Sequence, residues 1–138
     1  MALNTQLANA TVNGQGDNLS ARLNNGYLRI YNGTQPATAD TALSGNTLLA
    51  ELRFSATAAP ATSAGLITFN AITSGTAAAT GTASFFRTFS SDGTTVVMDG
   101  SVGTSAANLV LNSVAISSGA TVSVSAFTHD VLNSSSGL

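Results

Sequence analysis

The chain has no cysteine, no lysine and no tryptophan, and only ten of its 138 residues carry a formal charge. Without cysteine there are no disulfides, thiolate metal sites or cysteine nucleophiles, and cysteine usage leaves the redox compartment open. The four cations are Arg22, Arg29, Arg53 and Arg87, set against Asp17, Asp40, Glu51, Asp92, Asp99 and Asp130, for a net charge of −2. They form no basic stripe, which argues against nucleic acid as a partner. Soluble proteins carry about 25% charged residues, and most active sites are built from clustered ionisable groups, so the raw material for catalysis is scarce. No apolar run approaches the roughly 18 residues of a membrane span, so no membrane partner is expected. The first residues, Met1-Ala-Leu-Asn-Thr-Gln-Leu7, lack the basic start and apolar core of a secretion signal, which predicts a protein made and used without export by that route.

What fills the chain instead is Ala, Ser, Thr, Gly and Asn, with a positive mean hydropathy and many β-branched residues. That composition is not the polar, highly charged one of disordered chains, and the length fits a single domain able to bury its own core. Residues 1–16 are small and polar and end in Asn13-Gly14-Gln15-Gly16, which predicts an extended arm. Asp17 reads as an N-cap, Leu19 and Leu23 as the face, and Gly26 as the stop of one short helix over 18–25.

Strand signals follow. Tyr27–Tyr31 alternates Leu28 and Ile30 against Tyr27, Arg29 and Tyr31. In 47–54 the charges on one parity place Leu48, Ala50, Leu52 and Phe54 inward and Leu49, Glu51 and Arg53 outward. Leu66–Ile72 presents Ile67, Phe69 and Ala71. In Gly81–Phe89, Ala83, Phe85 and Phe89 share a parity with Arg87 while Phe86 stands opposite, which leaves the facing open. Ser90-Ser91-Asp92-Gly93 predicts a hairpin turn into a strand over 94–99, and Asp99-Gly100 a second turn. Strands over 108–116 and 121–127 are joined through Ser117-Ser118-Gly119. The stretch 56–64, with Pro60, reads as loop, and 76–80 as loop or the start of a strand. Short strands at regular spacing predict an all-β fold, an antiparallel β-sandwich of jelly-roll or Ig-like type over residues 17–128, with one short N-terminal helix, an arm at 1–16 and a tail at 129–138.

Candidate chemistry is thin. His129-Asp130 is the sole adjacent His and acid, but no Gly-x-Ser-x-Gly elbow accompanies it, and a lone His after a strand reads as a surface residue. One His with scattered acids has no metal-ligand spacing. Asp92 and Asp99 sit in Asp-Gly turn sequences, which explains them without a shared cation. Gly14-x-Gly16 lacks the preceding strand and third glycine of a phosphate fingerprint. No catalytic, cofactor or metal residue is therefore assigned, and no small-molecule substrate. Tyr27, Arg29 and Tyr31 share one strand face in a composition favoured at contacts, although covering the sheet explains them as well. Leu3 and Leu7 of the arm complete the interface candidates.

A neutral surface of hydroxyls, amides and methyl groups desolvates cheaply, and small side chains lose little rotamer entropy, which suits permanent contacts. Gly26-Tyr-Leu-Arg-Ile-Tyr-Asn-Gly-Thr-Gln-Pro36, Ala39-Asp-Thr-Ala42, Leu48-Leu-Ala-Glu-Leu52, Phe86-Arg87, Ser91-Asp-Gly-Thr94 and Asp99-Gly-Ser-Val-Gly-Thr-Ser105 are a set of turn and strand motifs. In these, residues 17–128 resemble a family of small proteins encoded among the structural genes of tailed bacteriophages. The resemblance implies a non-enzymatic virion part made in the host bacterial cytoplasm. It points to a head decoration or cement protein on the capsid surface that contacts the major capsid protein or other virion subunits. Together with the neutral surface this leads us to expect a dimer or trimer, with arm and tail reaching over neighbours. It carries no catalytic residues. A tail tube, fibre or baseplate component is the nearest alternative, and an adhesin or pilin-like subunit a further one.

Overall fold

A computed structural model of the chain describes residues 8–105 and 107–131. It is mostly β, with one helix, α1 (Asn9–Arg22), ahead of eleven strands. These are β1 (Tyr27–Tyr31), β2 (Leu48–Arg53), β3 (Leu66–Thr68), β4 (Gly75–Thr76), β5 (Gly81–Thr82), β6 (Phe85–Phe89), β7 (Val96–Gly103), β8 (Leu109–Leu111), β9 (Ala115–Ile116), β10 (Thr121–Val122) and β11 (Val124–Asp130). Seven of them form one curled sheet in the order β2-β1-β6-β7-β8-β11-β3, and two small pairs, β10-β4 and β5-β9, stand beside it. The expected all-antiparallel pattern fails at one place: β7 and β8 run parallel, Val102 opposite Leu109 and Gly103 opposite Val110.

The helix begins at Asn9, seven residues before the expected arm ends. Asn9–Arg22 is helical, so the part of 1–16 that the structure describes is not extended and Asp17 is not a cap; residues 1–7 lie outside the described residues. Three Asn and two Gly make this a poor helix in isolation, and packing holds it instead. Val12, Gly16, Ser20 and Leu23, spaced to share one face, are buried against the 57–65 loop and the sheet. Three side chains on the helix and its C-terminal turn accept backbone N–H groups of that loop. Asn13 Oδ1 takes Gly65 at 3.0 Å, Asp17 Oδ1 takes Thr62 at 2.8 Å, and Asn24 Oδ1 takes Ala58 at 2.8 Å. The Thr62 N–H lowers the Asp17 pKa below the usual carboxylate value. After the helix, Asn25 adopts φ 56 and the chain turns into β1.

Leu28 and Ile30 point inward from β1 as their parity predicts. In β2 the parity breaks. Ile30 pairs with Ala50 but Tyr31 with Leu48, so Leu49 is an extra residue at a bulge and is buried rather than outward. All five residues of β6 are buried, because the outer face of this central strand is covered as well as the inner one. The Asp99-Gly100 turn is absent. Both residues lie inside β7, where Asp99 pairs with Arg87 and Gly100 leaves room for a ring: a Cβ there would sit 2.5 Å from Phe86. The strands expected over 108–116 and 121–127 are each divided, because their halves find different partners: β8 and β11 each other, β9 β5, and β10 β4. Leu66–Ile72 is strand only to Thr68, with Ala71 exposed, and β11 carries the body two residues into the expected tail. The hairpin turn at 90–93, the loops over 56–64 and the Ser117–Gly119 turn stand where expected.

The curl brings the two ends of the sheet together. Phe54, just after β2, lies 5.6 Å from Phe69, just after β3, and Phe69 stacks on Phe127 at 4.4 Å. The open edge of β2 is covered by the chain around β4: Thr73 N–H donates to Arg53 O at 3.0 Å and Ala78 N–H to Leu49 O at 2.7 Å.

The two helix glycines make opposite predictions. A Cβ at Gly14 meets nothing within 4 Å, whereas one at Gly16 would fall 2.5 Å from Thr62 Oγ1. Gly14→Ala is expected to raise stability by about 0.5–1 kcal/mol, and Gly16→Ala to lower it by about 1–3 kcal/mol through overpacking. Chemical denaturation midpoints of the two variants check this.

Candidate interaction surface

The side chains that carry charge and aromatic rings converge on the outer face of β2-β1-β6-β7. Register lines up Glu51, Arg29, Arg87 and Asp99 in one row across four strands, since Arg29 lies opposite both Glu51 and Arg87, and Arg87 opposite Asp99. The two guanidinium groups are like charges on neighbouring strands, and each is neutralised by the acid on its far side.

At one end of the row the pair is buried. Arg87 Nε meets Asp99 Oδ1 at 2.7 Å and Nη2 meets Oδ2 at 2.8 Å, with the side chains 4% and 5% exposed. This two-point geometry is the strongest a guanidinium and a carboxylate make, and Asp99 raises the Arg87 pKa above its ordinary value. Arg87 Nη2 also reaches Thr38 O at 3.4 Å, tying the 32–46 loop over this end of the sheet. Asn46 pins the loop's base through Asn32 O and Thr34 O, and Ser84 Oγ donates to Gly33 O at 2.6 Å. Between the loop's two limbs lies a shallow cavity of about 460 Å³ lined by Gln35, Pro36, Ala37, Thr41, Ala42 and Ser44.

At the other end the row is half open. Arg29 Nε donates to Glu51 Oε2 at 2.7 Å, with side-chain exposures of 22% and 40%, and Nη1 donates to Gly93 O at 3.0 Å in the β6-β7 turn. The Arg29 guanidinium lies over the Phe89 ring at 4.4 Å, and Arg53 lies over Tyr27 at 4.0 Å. Arg53 also donates to Asn25 O at 2.8 Å and Gly26 O at 3.3 Å, just past the helix.

Of the residues singled out in the sequence, Tyr27 and Arg29 are half-buried on this surface, whereas Tyr31 is 5% exposed and stacks on Phe85 at 5.4 Å. Burial raises the Tyr31 pKa. Arg29 therefore fastens the β6-β7 turn to the sheet, Tyr27 carries the Arg29 and Arg53 guanidinium groups, and Tyr31 packs on Phe85 of the next strand. Leu3 and Leu7 lie outside the described residues. Glu51, Arg53, Arg87 and Asp99 were missed as parts of the same surface, although placing charges on alternate strand positions marks them once the register is known.

The other candidates are dispersed. Asp92 is the keystone of the β6-β7 turn: its Oδ1 accepts from Thr94 N at 2.8 Å and Thr95 N at 2.9 Å, and its other oxygen from the Thr95 hydroxyl. Asp99 is taken up by Arg87, so the two acids serve separate structural ends. His129 sits in β11 opposite Ile67. Among the described residues no group of three His, Cys, Asp or Glu is placed to hold a metal, and no helix is long and apolar enough to cross a membrane.

Hydrogen bonds from Thr95 and Thr94 pull the Asp92 pKa down from 3.8 to about 2. A depressed carboxylate contributes stability that is full above its unfolded pKa and is lost as pH falls through its folded one. Asp92→Ala is therefore expected to lower the urea midpoint at pH 7 and to make a visibly smaller difference near pH 2, where the folded Asp92 is already about half protonated and the unfolded one almost wholly so.

Comparison with known proteins adds no relative: no family model, no curated protein and no solved structure matches the chain.

Proposed function

We propose that the chain is a non-enzymatic structural subunit of a tailed-bacteriophage particle, a decoration or cement protein seated on the outer surface of the head. The phage setting rests on the sequence resemblance over 17–128. The observation that carries the structural role is the fate of the charges. Arg22 bonds Asn18, Arg29 bonds Glu51 and Gly93, Arg53 bonds the carbonyls after the helix, and Arg87 bonds Asp99. Asp17 and Asp92 hold backbone N–H groups. Side chains that an enzyme would spend on substrate are spent here on the fold.

What is left to meet a partner is hydroxyls, amides and methyl groups with the half-open strip of Tyr27, Arg29, Glu51 and Arg53 among them. Arg and Tyr anchors in a neutral surround suit a permanent contact with a capsid subunit, and repetition over a homo-oligomer multiplies it. We read the finer architecture as a sandwich of jelly-roll type, with the β4-β10 and β5-β9 pairs as a second layer facing the curled sheet. Their buried Ala77, Val122 and Ile116 favour that reading. A protein that binds only the assembled shell stabilises that state by mass action.

Purified chain added to phage shells that lack it is expected to bind in a fixed number of copies per shell and to raise the shell's melting temperature. Absence of both effects contradicts the proposal, and self-association into tubes without any shell favours a tail component instead.

A further inference from the structure

The outer face of the sheet is out of charge balance at one corner. Register sets its side chains in two rows, Glu51, Arg29, Arg87 and Asp99 in one and Arg53, Tyr27 and Phe89 in the next. The first row is neutral, two acids against two guanidinium groups, whereas the second holds the cation of Arg53 and no acid. Arg53 is exposed and is held by carbonyls alone, Nε on Gly26 O and Nη2 on Asn25 O, which leaves Nη1 without a partner among the described residues. Two cations also share one ring: the Arg53 guanidinium lies 4.0 Å from the centre of Tyr27 and that of Arg29 5.2 Å. Like charges so close repel, and the one acid of this corner, Glu51, is taken by Arg29. The unused donors of Arg29 and Tyr27 lie together. A Cβ at Gly93 would fall 3.4 Å from Arg29 Nη2 and 3.4 Å from Tyr27 Cε2, the ring atom next to the carbon that bears the hydroxyl. Arg29 commits Nε to Glu51 and Nη1 to Gly93 O but makes no hydrogen bond through Nη2, and the Tyr27 hydroxyl makes none among the described residues. Gly93, at φ 73, keeps side-chain atoms out of that spot.

We propose that this corner seats a single carboxylate, an Asp or Glu side chain on the protein surface against which the chain docks; the proposal rests on the strip of Tyr27, Arg29, Glu51 and Arg53 being a contact surface. A guanidinium offers only donors and a phenol hydroxyl offers one, and a carboxylate has two acceptor oxygens to receive them. One carboxylate also cancels the one unbalanced cation. A phosphate fits less well, because Glu51 stays 40% exposed beside the corner and repels a second negative charge. A second copy of the chain is a poor source of the acid, since Asp17, Glu51, Asp92 and Asp99 hold partners of their own. The floor is aromatic, with the Arg29 guanidinium 4.4 Å from the centre of Phe89, so a partner that covers the corner removes water from the pair and strengthens it.

The full chain, isotope-labelled for NMR, is titrated at constant ionic strength with N-acetylglutamate methylamide, with its glutamine counterpart and with inorganic phosphate. The glutamate compound is expected to shift the Nε–H signals of Arg29 and Arg53 and the ring signals of Tyr27 saturably, the glutamine compound to leave them in place, and phosphate to bind no tighter than the carboxylate. Tyr27→Phe and Arg53→Gln are each expected to weaken the carboxylate by about three- to tenfold. Tyr27→Phe keeps the ring beside both guanidinium groups, so it reports on the site even if Arg53→Gln loosens the turn after the helix. No saturable shift, an equal response to the glutamine compound, tighter binding of phosphate, or full affinity in both variants overturns the proposal, and so does self-association of the chain that the two variants abolish, which puts a second copy in the corner. The titration needs no phage shell. Shells that fail to bind remove the proposed function and leave a carboxylate site standing, whereas shells that bind wild type and Tyr27→Phe alike, with no carboxylate response, remove this inference alone.

Discussion

The bidentate contact between Arg87 and Asp99 is the constraint around which the outer half of the molecule is arranged. It sits in the central strand pair of a seven-stranded sheet, nearly sealed from water, and two ions so placed are tolerable only if each fills the other's hydrogen-bonding capacity. Once β6 and β7 are locked in the register that brings the two together, Arg29 falls beside Arg87 and needs its own acid, which Glu51 supplies from β2. The same guanidinium of Arg87 donates to Thr38 O and Ser84 Oγ donates to Gly33 O, so the 32–46 loop is held against this end of the sheet. A row of four ionisable side chains thereby sets strand register, covers the outer face and uses four of the ten charges the chain has.

The inner face obeys a different rule, that of filling a curved space with rings. Phe54, Phe69, Phe86 and Phe127 come from four separated parts of the chain and meet because the sheet curls, and Gly100 lets the Phe86 ring cross β7. Closure by ring packing explains how a chain with few large side chains still seals both ends of its sheet. The helix belongs to the same economy. Besides burying Val12 and Leu23 it brings Asn13 and Asp17, with Asn24 just after it, to receive the N–H groups of a loop that has no ladder of its own.

Sequence patterning revealed the β class, β1, the inward parity of Leu28 and Ile30, the turn at Asp92 and the loops around Pro60. It failed where long-range partners decide. The helix was legible only in its last turns: residues 9–17 were hidden because the buried face there offers one apolar side chain, Val12, followed by Gly16 and Ser20, and Gly14 and Gly16 mimic a break. Asp99-Gly100 reads as a turn unless one knows that Arg87 lies opposite the first and Phe86 covers the second. Leu49 turns inward through a bulge that no local pattern announces. The interaction surface was half visible: Tyr27, Arg29 and Tyr31 show as a face, but the acid and rings that bind Arg29 and Tyr31 lie 22 to 60 residues away.

The central claim is that the buried charge pair holds the fold together, and a double-mutant cycle on Arg87 and Asp99 tests it most directly. Arg87→Met and Asp99→Leu, made singly and together, are compared by denaturant unfolding. The account predicts a loss of about 3–5 kcal/mol for each single change, because each strands a buried ion, and a double variant far less destabilised than the sum. Single losses below about 1 kcal/mol that simply add, as for an exposed pair, would contradict it.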